Sequence, residues 1–482
     1  MKMGCYNKVH FVEWNKLMSS VVNLSDEFEQ LQQAYQASPY PSKDDRLVLL
    51  NGLKTALLAE KGALVSALEN DYGFRSHFDS TICDLMPSIQ HINYTRKQLS
   101  KWLKIKKRHA GLLLSPSKVS VCYQPLGVVG VIVPWNFPIY LSIAPIVTAI
   151  AAGNRVMVKL SEYTPETNQI LRRIFSDLSE HVCIIEGESD IAAEFSQLPF
   201  NHLLFTGSTQ VGKLVASAAA KNLTPITLEL GGKSPVIVAE DAELVSAVDA
   251  IMLGKSMNAG QICVAPDYVF VPKEKVDKFI SLYTQRFLQA FPEKKGRREY
   301  SHIINQAQYD RLLAYLDDAQ EKGAKVTAIG EIKDQQGRSF LPHLITNATE
   351  EMRVMQEEIF GPILPIIGYD DIEEALSYIQ ARPRPLALYI MSLDKKLVKD
   401  ISQRTHSGGL AINDTIMHVA ADDAPFGGIG DSGMGSYHGI EGFRTFSHAK
   451  TILNTPNWLP RARLLLKHKK WMLKILSRKF MS

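Results

Sequence analysis

The feature that most constrains the fold is an alternation of short apolar runs and helical stretches between Val119 and Leu230. The runs are rich in β-branched residues and read GVVGVIVP, NRVMVKL, VCIIEG, HLLFTGS and PITLEL. Such runs, when they alternate with helices, are typical of parallel strands buried on both faces. Pro134 and Pro138 cut the first apolar stretch below the roughly 20 residues that a membrane span needs. The sequence therefore predicts an α/β fold with a doubly wound parallel sheet.

The length predicts more than one domain, because 482 residues exceed the roughly 250–300 that one hydrophobic core supports. Residues 27–105 are charged, with apolar positions at helical spacing, which predicts surface helices that cover a sheet. Strand and helix patterns recur over residues 242–413 and predict a second α/β domain. Gly-rich segments near Gly231 and at 427–435 are expected where the chain crosses between the two domains.

The charge and the cysteines restrict the function classes. Eight Lys or Arg residues between Arg461 and Lys479 supply the whole net charge of +4 and leave the body slightly acidic. Nucleic acid is therefore not expected as a partner. The five cysteines form no C-x-x-C pair, which argues against a disulfide scaffold and favours a reducing compartment. Charged and polar residues recur throughout the first 20 residues, which therefore lack the unbroken apolar h-region of a secretory signal, so we expect a cytoplasmic protein.

Two segments resemble nucleotide-binding turns. In NHLLFTGSTQVGK, Gly207 and Gly212 flank a turn from an apolar strand into a helix, where free N–H groups and the helix dipole attract phosphate. Lys159 and Glu162 follow the strand VMVKL at the carboxyl edge, where an acidic group can bind ribose hydroxyls. Taken alone, the first segment also fits an ordinary strand-to-helix turn and the second a solvated ion pair.

Two residues are candidates for catalysis. Glu229 ends the run TLEL just before two glycines, where a partly desolvated carboxylate can act as a general base. A lone Glu is more often surface charge. Cys263 lies in a constrained loop between Gly260 and Pro266, where an accessible thiol of lowered pKa is nucleophilic and an isolated buried thiol is inert. The inert role is expected for the other four cysteines, Cys5, Cys83, Cys122 and Cys183.

Six motifs together resemble the aldehyde dehydrogenase superfamily. They read PWNFP, FTGSTQVGK, LELGGKSP, NAGQICVAPDY, EEIFGP and PFGGIGDSGMG. Their order and spacing match from about Leu113 to about Phe446, nearly the whole chain, so coincidence is negligible. The short N-terminus and the sequence CVAPDY, which begins at Cys263, are similar to the class 3 branch. That branch includes fatty aldehyde and bacterial coniferyl aldehyde dehydrogenases.

The resemblance implies an aldehyde dehydrogenase fold of three parts, followed by a basic amphipathic tail. In the family the smallest part joins subunits, so we expect a homodimer. The implied bounds are 22–103 and 124–229 for a Rossmann-type NAD(P)-binding domain, 230–428 for an α/β catalytic domain, 104–123 and 436–455 for a small β oligomerisation extension, and 456–482 for the tail.

The resemblance also implies a reaction, the NAD(P)-dependent oxidation of an aldehyde to its carboxylic acid. Cys263 would attack the carbonyl as thiolate, and the Asn136 side-chain amide with the Cys263 backbone N–H would hold the oxyanion. Glu229 would activate the water that hydrolyses the thioester. No metal is expected, because these donors polarise the carbonyl. The implied substrate is an aromatic, coniferyl-type aldehyde or a hydrophobic medium- or long-chain aldehyde.

The family pattern assigns the cofactor to nine further positions. Glu162 should repel a 2′-phosphate, so we expect NAD, with NADP as the alternative. Lys159 and Glu162 match ligands of the adenine ribose, and Gly207 and Ser208 those of the pyrophosphate. Glu358 and Phe360 match the nicotinamide ribose and ring. The complete expected set is Trp135, Lys159, Glu162, Gly207, Ser208, Gly212, Leu230, Glu358 and Phe360.

The C-terminal segment LPRARLLLKHKKWMLKILSRKFMS interleaves apolar and basic residues. This composition suits an amphipathic helix on an anionic membrane surface, and a helix docked on the body or a frayed end fits equally well. Two rival functions stay open. A CoA-acylating dehydrogenase would share the fold and the thiol, although Glu229 counts against it. A catalytically silent structural or membrane-binding relative would lack the nucleophile or the base, and both are present here.

Overall fold

The apolar runs form the strands of three sheets. The computed structural model describes residues 23–293, 298–330 and 337–481. Within these ranges the strands are β1 Lys106–Arg108, β2 Lys118–Pro125, β3 Val128–Ile132, β4 Arg155–Lys159, β5 Val182–Ile185, β6 His202–Gly207, β7 Ile226–Leu230, β8 Pro235–Val238, β9 Tyr268–Pro272, β10 Lys325–Ala328, β11 His343–Thr346, β12 Ile363–Tyr369, β13 Ala387–Met391, β14 Gly409–Ile412, β15 Gly433–Met434 and β16 Ser447–Asn454.

The first large sheet has the strand order β15-β7-β6-β3-β4-β5. Strands β3 to β7 run parallel, as the alternating pattern predicted. The chain leaves β3 toward β4 and β5 on one side and continues through β6 to β7 on the other. The carboxyl ends of β3 and β6 therefore flank the topological switch point, where open α/β sheets bind ligands.

The second large sheet, in the order β10-β11-β12-β9-β8-β13-β14, confirms the second α/β pattern of the sequence. Its strands are parallel except for the antiparallel pair β10 and β11. The third sheet is antiparallel, with β2 between β1 and β16. Its strand β16 is exposed along nearly its whole length, from His448 to Asn454.

Helices cover both faces of the large sheets. Local signals fix their ends: Ser42 and Asp45 form a reciprocal capping box at the start of α2, and Gly153 ends α7 at φ 98°. The α-helices are α1 Leu24–Ala37, α2 Lys43–Ala59, α3 Lys61–Tyr72, α4 His77–Asp79, α5 Met86–Trp102, α6 Gly111–Leu114, α7 Tyr140–Ala152, α8 Pro165–Phe175, α9 Ser189–Phe195, α10 Thr209–Ala220, α11 Leu244–Ser256, α12 Val276–Ala290, α13 Gln306–Glu321, α14 Arg353–Gln356, α15 Ile372–Gln380, α16 Lys395–Arg404, α17 Gly439–Thr445, α18 Arg461–Lys467 and α19 Lys469–Phe480.

The Gly-rich segment 427–435 brings the chain from the second sheet back to the first. Strand β15 pairs antiparallel with β7 and places Gly433 opposite Glu229. A Cβ atom at Gly433 would lie 2.3 Å from the Leu228 carbonyl oxygen, so only glycine permits this approach. The return of this segment closes the two large sheets around the end of β7.

Candidate active site

The loop before β9 presents Cys263. The loop follows a short 3₁₀ turn, Met257–Gly260, and Cys263 itself is half-buried. A Cβ atom at Gly260 would lie 2.6 Å from the Gly361 carbonyl oxygen, which fixes glycine at that position. Burial raises the pKa of the Cys263 thiol to about 12, and the carboxylates of Glu358 and Glu229 add to the rise. Both carboxylates therefore lie within electrostatic reach of the sulfur.

Glu229 is a buried carboxylate near the end of β7. Its side chain is 3% exposed, and neither oxygen has a hydrogen-bond partner among the described residues. Burial raises the pKa of Glu229 well above its usual value. A carboxyl group that is dry and unpartnered costs stability, so its presence beside a thiol is typical of a functional site.

Asn136 lies in the loop between β3 and α7 and is 3% exposed. Its Nδ2 donates to the Gln261 carbonyl oxygen at 3.2 Å, and its own carbonyl accepts from Asn258 Nδ2 at 3.2 Å. The Tyr72 hydroxyl also contacts the Asn136 carbonyl at 3.2 Å. These contacts hold Asn136 against the loop that carries Cys263.

The carboxyl edge of the first sheet carries the residues expected to bind the adenosine end. Lys159 ends β4, is 2% exposed, and pairs with Glu162 at 2.9 Å. Ser208 caps α10, the helix that follows β6, by accepting from the Val211 N–H at 3.4 Å. The N-terminus of α10 thus opens at the same edge as the Lys159–Glu162 pair.

Glycine is required where α10 meets the sheet. A Cβ atom at Gly212 would lie 2.6 Å from Leu230 Cδ2, and one at Gly207 would lie 2.5 Å from the Phe205 ring. Leu230 is buried under the helix. The two glycines therefore let the helix start close to the strand ends, as a phosphate-binding turn requires.

Glu358, Phe360 and Trp135 lie together at the other end of the crevice. The Trp135 and Phe360 rings meet edge to face, with centroids 5.3 Å apart. A Cβ atom at Gly231 would lie 2.0 Å from Glu358 Oε2, so this glycine makes room for the carboxylate. Burial raises the pKa of Glu358 to about 8, and the Asp267 carboxylate contributes. The structure thus brings Glu358 to the side of Cys263 and Glu229.

Several residues that support the site were not anticipated from the sequence. Lys233 forms an ion pair with Asp267 and donates to the Glu357 carbonyl at 2.9 Å, and Arg311 donates to the Glu358 carbonyl at 3.1 Å. Lys233 lies within the motif LELGGKSP, and this motif could have identified it as a site residue. Arg311 lies in the middle of α13, where no sequence feature distinguishes it from a surface residue.

The expectation of surface helices for residues 27–105 is wrong at one place. Arg75 and Asp84 form a fully buried ion pair at 2.8 Å, and Asp79 is also buried. Asp79 immediately precedes a π-helical stretch, Ser80–Leu85, and Asp84 lies within it. Charged residues at helical spacing predict solvent exposure, and here ion pairing and hydrogen bonds to other segments offset the cost of burial.

The remaining cysteines lie away from this centre. Cys83, Cys122 and Cys183 are free thiols, and Cys5 lies outside the described residues. Burial raises the pKa of Cys183 to about 12, and its thiol donates to Glu27 at 3.4 Å. In the described part of the chain, no cluster of His, Cys, Asp or Glu could hold a metal ion. No described helix is long and apolar enough to cross a membrane.

Comparison with known proteins agrees with this geometry. Residues 25–452 match the model of the aldehyde dehydrogenase family. The probable coniferyl aldehyde dehydrogenase of Pseudomonas aeruginosa is 49% identical over 435 residues, which cover 89% of this chain and 90% of that protein. This relative is of the coniferyl type that the motifs suggested, so the predicted branch is confirmed.

Solved structures show the same fold. Staphylococcus aureus AldH in a substrate-bound state superimposes with a TM-score of 0.90 at 35% identity, over 95% of this chain and 99% of that one. An aldehyde dehydrogenase of Mycobacterium tuberculosis in complex with NAD+ gives a TM-score of 0.81 at 28% identity, over 90% of each chain. The chain therefore belongs to the aldehyde dehydrogenase family and is an NAD(P)-dependent aldehyde dehydrogenase, as its sequence predicted.

Proposed function

We propose that this enzyme oxidises aromatic aldehydes of the coniferyl type, and hydrophobic medium- or long-chain aldehydes, through a thioester on Cys263. The name and the 49% identity of the Pseudomonas aeruginosa relative support the aromatic class. The product is the free carboxylic acid, because a general base lies beside the thiol.

The first step is attack of the Cys263 sulfur on the aldehyde carbonyl. The backbone N–H groups of Cys263 and Val264 lower the pKa of the thiol and oppose the effect of burial. An amide NH₂ group has two hydrogens, and Asn136 uses one of them on the Gln261 carbonyl. The second hydrogen is left to bind the oxygen that becomes negative when the carbon–sulfur bond forms.

Glu229 is the general base of this proposal, and its environment is the single observation that carries it. Both carboxylate oxygens are buried, have no hydrogen-bond partner in the described part of the chain, and lie within electrostatic reach of Cys263. A raised pKa makes a carboxylate a stronger base, closer to the value that is optimal at neutral pH. Glu229 takes a proton from the attacking water, and the water oxygen bonds to the acyl carbon. The acyl–sulfur bond then breaks, the electron pair returns to Cys263 as thiolate, and the carboxylic acid departs.

The crevice between β3 and β6 fits a dinucleotide. The Lys159–Glu162 pair can bind the ribose, the N-terminus of α10 with Ser208 the pyrophosphate, and Glu358 with Phe360 the nicotinamide end. A dinucleotide held by these residues would supply the hydride acceptor for the oxidation that yields the thioester on Cys263. The Glu162 carboxylate opposes a 2′-phosphate, so we propose a preference for NAD over NADP.

The division into domains follows the sheets. We assign residues 22–103 and 124–229 to cofactor binding, because β3 to β7 and their covering helices fall there. Residues 230–428 contain the second large sheet, and residues 104–123 with 436–455 contain the third except for the last two residues of β2. Glu229 is then the last residue of the first part, and Cys263 belongs to the second.

The third sheet supports a homodimer. Strand β16 pairs only with β2 among the described strands, so its other edge is unpaired along eight residues. Ile452 and Leu453 on this strand are 37% and 46% exposed. A long exposed edge with apolar side chains is a template for pairing with another strand. We propose that a second copy of this chain covers it.

The tail supports a peripheral membrane contact. On α19, Lys470, Lys474 and Arg478 share one face through their four-residue spacing. Leu473, Leu476 and Phe480 occupy a face turned away from it. The exposure of Trp471 and Leu473 leaves apolar area for an anionic lipid surface.

The test is formation of NADH by the purified enzyme without CoA, across linear and aromatic aldehydes. We expect activity in the wild type, strongest with an aromatic or hydrophobic substrate, and none in Cys263→Ala. A product that forms only when CoA is added would replace the hydrolytic proposal with the CoA-acylating one. Activity retained by Cys263→Ala would refute the thiol mechanism.

A further inference from the structure

The loop that carries Cys263 has an unusual backbone conformation. Asn258 and Ala259 have φ values of 49° and 52°, and Gly260 follows at 72°. Left-handed φ values are unfavourable for residues with a Cβ atom. Two in succession persist only where the surrounding structure fixes them.

A carboxylate from the N-terminal helices contacts the first of these residues. Asp79 Oδ2 accepts the Asn258 backbone N–H at 3.2 Å and also accepts the Ser301 hydroxyl. Asp79 is 6% exposed and ends α4, just before the π-helical stretch Ser80–Leu85. This carboxylate therefore binds the backbone at the point where the left-handed turn begins.

Asn258 links the nucleophile loop to the oxyanion residue. Its Nδ2 donates to the Asn136 carbonyl at 3.2 Å, and Asn136 Nδ2 donates to the Gln261 carbonyl at 3.2 Å. Gln261 Nε2 donates back to the Asn258 carbonyl at 2.9 Å. The three side chains form a closed ring of hydrogen bonds, and Asp79 fixes it from outside.

The other side of Asn136 is held by the same helical segment. Asp84 Oδ1 accepts the backbone N–H groups of Ile139 and Tyr140 at 3.2 and 3.0 Å. Its second oxygen pairs with Arg75, whose guanidinium lies 5.4 Å from the Phe137 ring centre. The segment from Asp79 to Asp84 therefore hydrogen-bonds both to the loop that carries Cys263 and to the segment that follows Asn136.

We propose that Asp79 is a positioning residue that holds the Cys263 sulfur and the Asn136 amide in the relative positions needed for attack on the carbonyl. It acts through the Asn258 backbone and does not touch substrate or cofactor. This inference rests on the proposed roles of Cys263 and Asn136. A misplacement of about 1 Å at a reacting centre can lower a rate by about 100-fold.

The test compares Asp79→Ala with Asp79→Asn. The alanine variant removes both acceptor contacts, and we expect turnover to fall by about 10- to 100-fold with a smaller change in KM. The asparagine variant keeps an oxygen that can accept from Asn258, and most of the turnover should return. Amide hydrogen exchange of the peptide that spans residues 256–263 should quicken in the alanine variant alone.

Two controls separate positioning from general loss of stability. Asp241→Ala removes a carboxylate that accepts from a serine and from the backbone N–H groups of Leu393 and Asp394, remote from Cys263. It should lower the unfolding temperature without lowering kcat. Ser301→Ala removes one contact of Asp79 but leaves Asn258 bound, and it should retain most of the turnover.

Equal kcat in Asp79→Ala and wild type, or equal losses in Asp79→Ala and Asp241→Ala, would overturn the inference. So would a failure of Asp79→Asn to restore turnover in a folded protein. An inactive wild type would instead refute the proposed function. The two failures are therefore distinguishable.

Discussion

The proposed catalytic centre and the C-terminal tail are built in opposite ways. The centre consists of Asn136, Glu229, Cys263 and Glu358, which come from four separate segments. Asn136 and Glu229 are buried, and Cys263 and Glu358 are half-buried. The tail is one continuous segment whose apolar side chains, among them Leu473, are largely exposed. The first has its partners within the chain, whereas the second presents surface that nothing in the described chain covers.

The difference shows that buried and exposed residues acquire a function in different ways. Burial changes the chemistry of a side chain, as the raised pKa values of Glu229 and Cys263 illustrate. An exposed helix keeps ordinary side-chain chemistry and gains meaning only from a partner. The two regions should accordingly fail independently when they are altered, and the following experiments test that independence.

The largest effect is expected from Cys263→Ala. Without the sulfur no thioester forms, so turnover should fall by at least about 1,000-fold. The measurement is steady-state NADH formation with an aromatic aldehyde. Binding to anionic vesicles should stay at the wild-type level. A parallel loss of vesicle binding would contradict the expectation that the centre and the tail function independently.

Glu229→Gln should affect the second half of the reaction. Removal of a general base lowers a rate by about 100- to 10,000-fold, and here the loss should fall on hydrolysis of the thioester. Rapid mixing should then record one equivalent of NADH as a burst, followed by a slow steady phase. Loss of the burst together with the steady rate would show that Glu229 is also needed to form the thioester.

Asn136→Ala should act on the transition state. Loss of an oxyanion donor costs about 100- to 1,000-fold in kcat, with little change in KM. The same change removes the Asn136 amide from the Gln261 carbonyl, so the nucleophile loop should be checked by hydrogen exchange. A rise in KM with unchanged kcat would assign Asn136 to ground-state binding instead.

The sequence carries local signals for the proposed centre and none for the residues that support it. Motifs single out Cys263, Glu229 and Asn136 because each lies beside glycines or prolines that mark a special backbone. Asp79 and Asp84 carry no such mark, since a carboxylate in a helical segment is usually solvated. Their burial depends on hydrogen bonds to residues far away in the sequence, and no local pattern encodes those contacts.

The tail lies at the other limit of sequence-based prediction. The composition suggested a helix, with a frayed end as an alternative, and the structure contains two helices, α18 and α19. What covers an exposed helix face depends on another molecule. The sequence indicates that partner only through the spacing of charged and apolar residues, so the membrane contact stays a prediction.

The pH dependence sharpens the description of the centre. Glu229 must be deprotonated to act as a base, and burial raises its pKa. The thiol, with a pKa of about 12 in the free enzyme, also needs to lose its proton. Activity should therefore rise with pH, by up to about tenfold per unit between the two pKa values and up to about 100-fold per unit below both. The check is kcat/KM against pH, and a profile that falls over the neutral range would contradict these pKa directions.

The smallest effect on catalysis is expected from removal of residues 460–482. The tail helices are largely exposed, and their first residue, Arg461, donates to Leu114 and Ser117, which lie in the connection between β1 and β2 of the third sheet. That sheet lies outside the two that enclose Cys263, so turnover should change by less than about twofold.

Sedimentation with anionic vesicles should be lost in the same deletion and weakened by salt, because Lys and Arg near a charged surface each contribute about 1 kcal/mol. A matched variant that replaces Leu473 and Phe480 by serine keeps every charge. If this variant still sediments, charge alone carries the contact. If the deletion sediments like the full chain, the tail does not bind membrane. If the deletion also abolishes turnover, the tail and the catalytic centre are coupled.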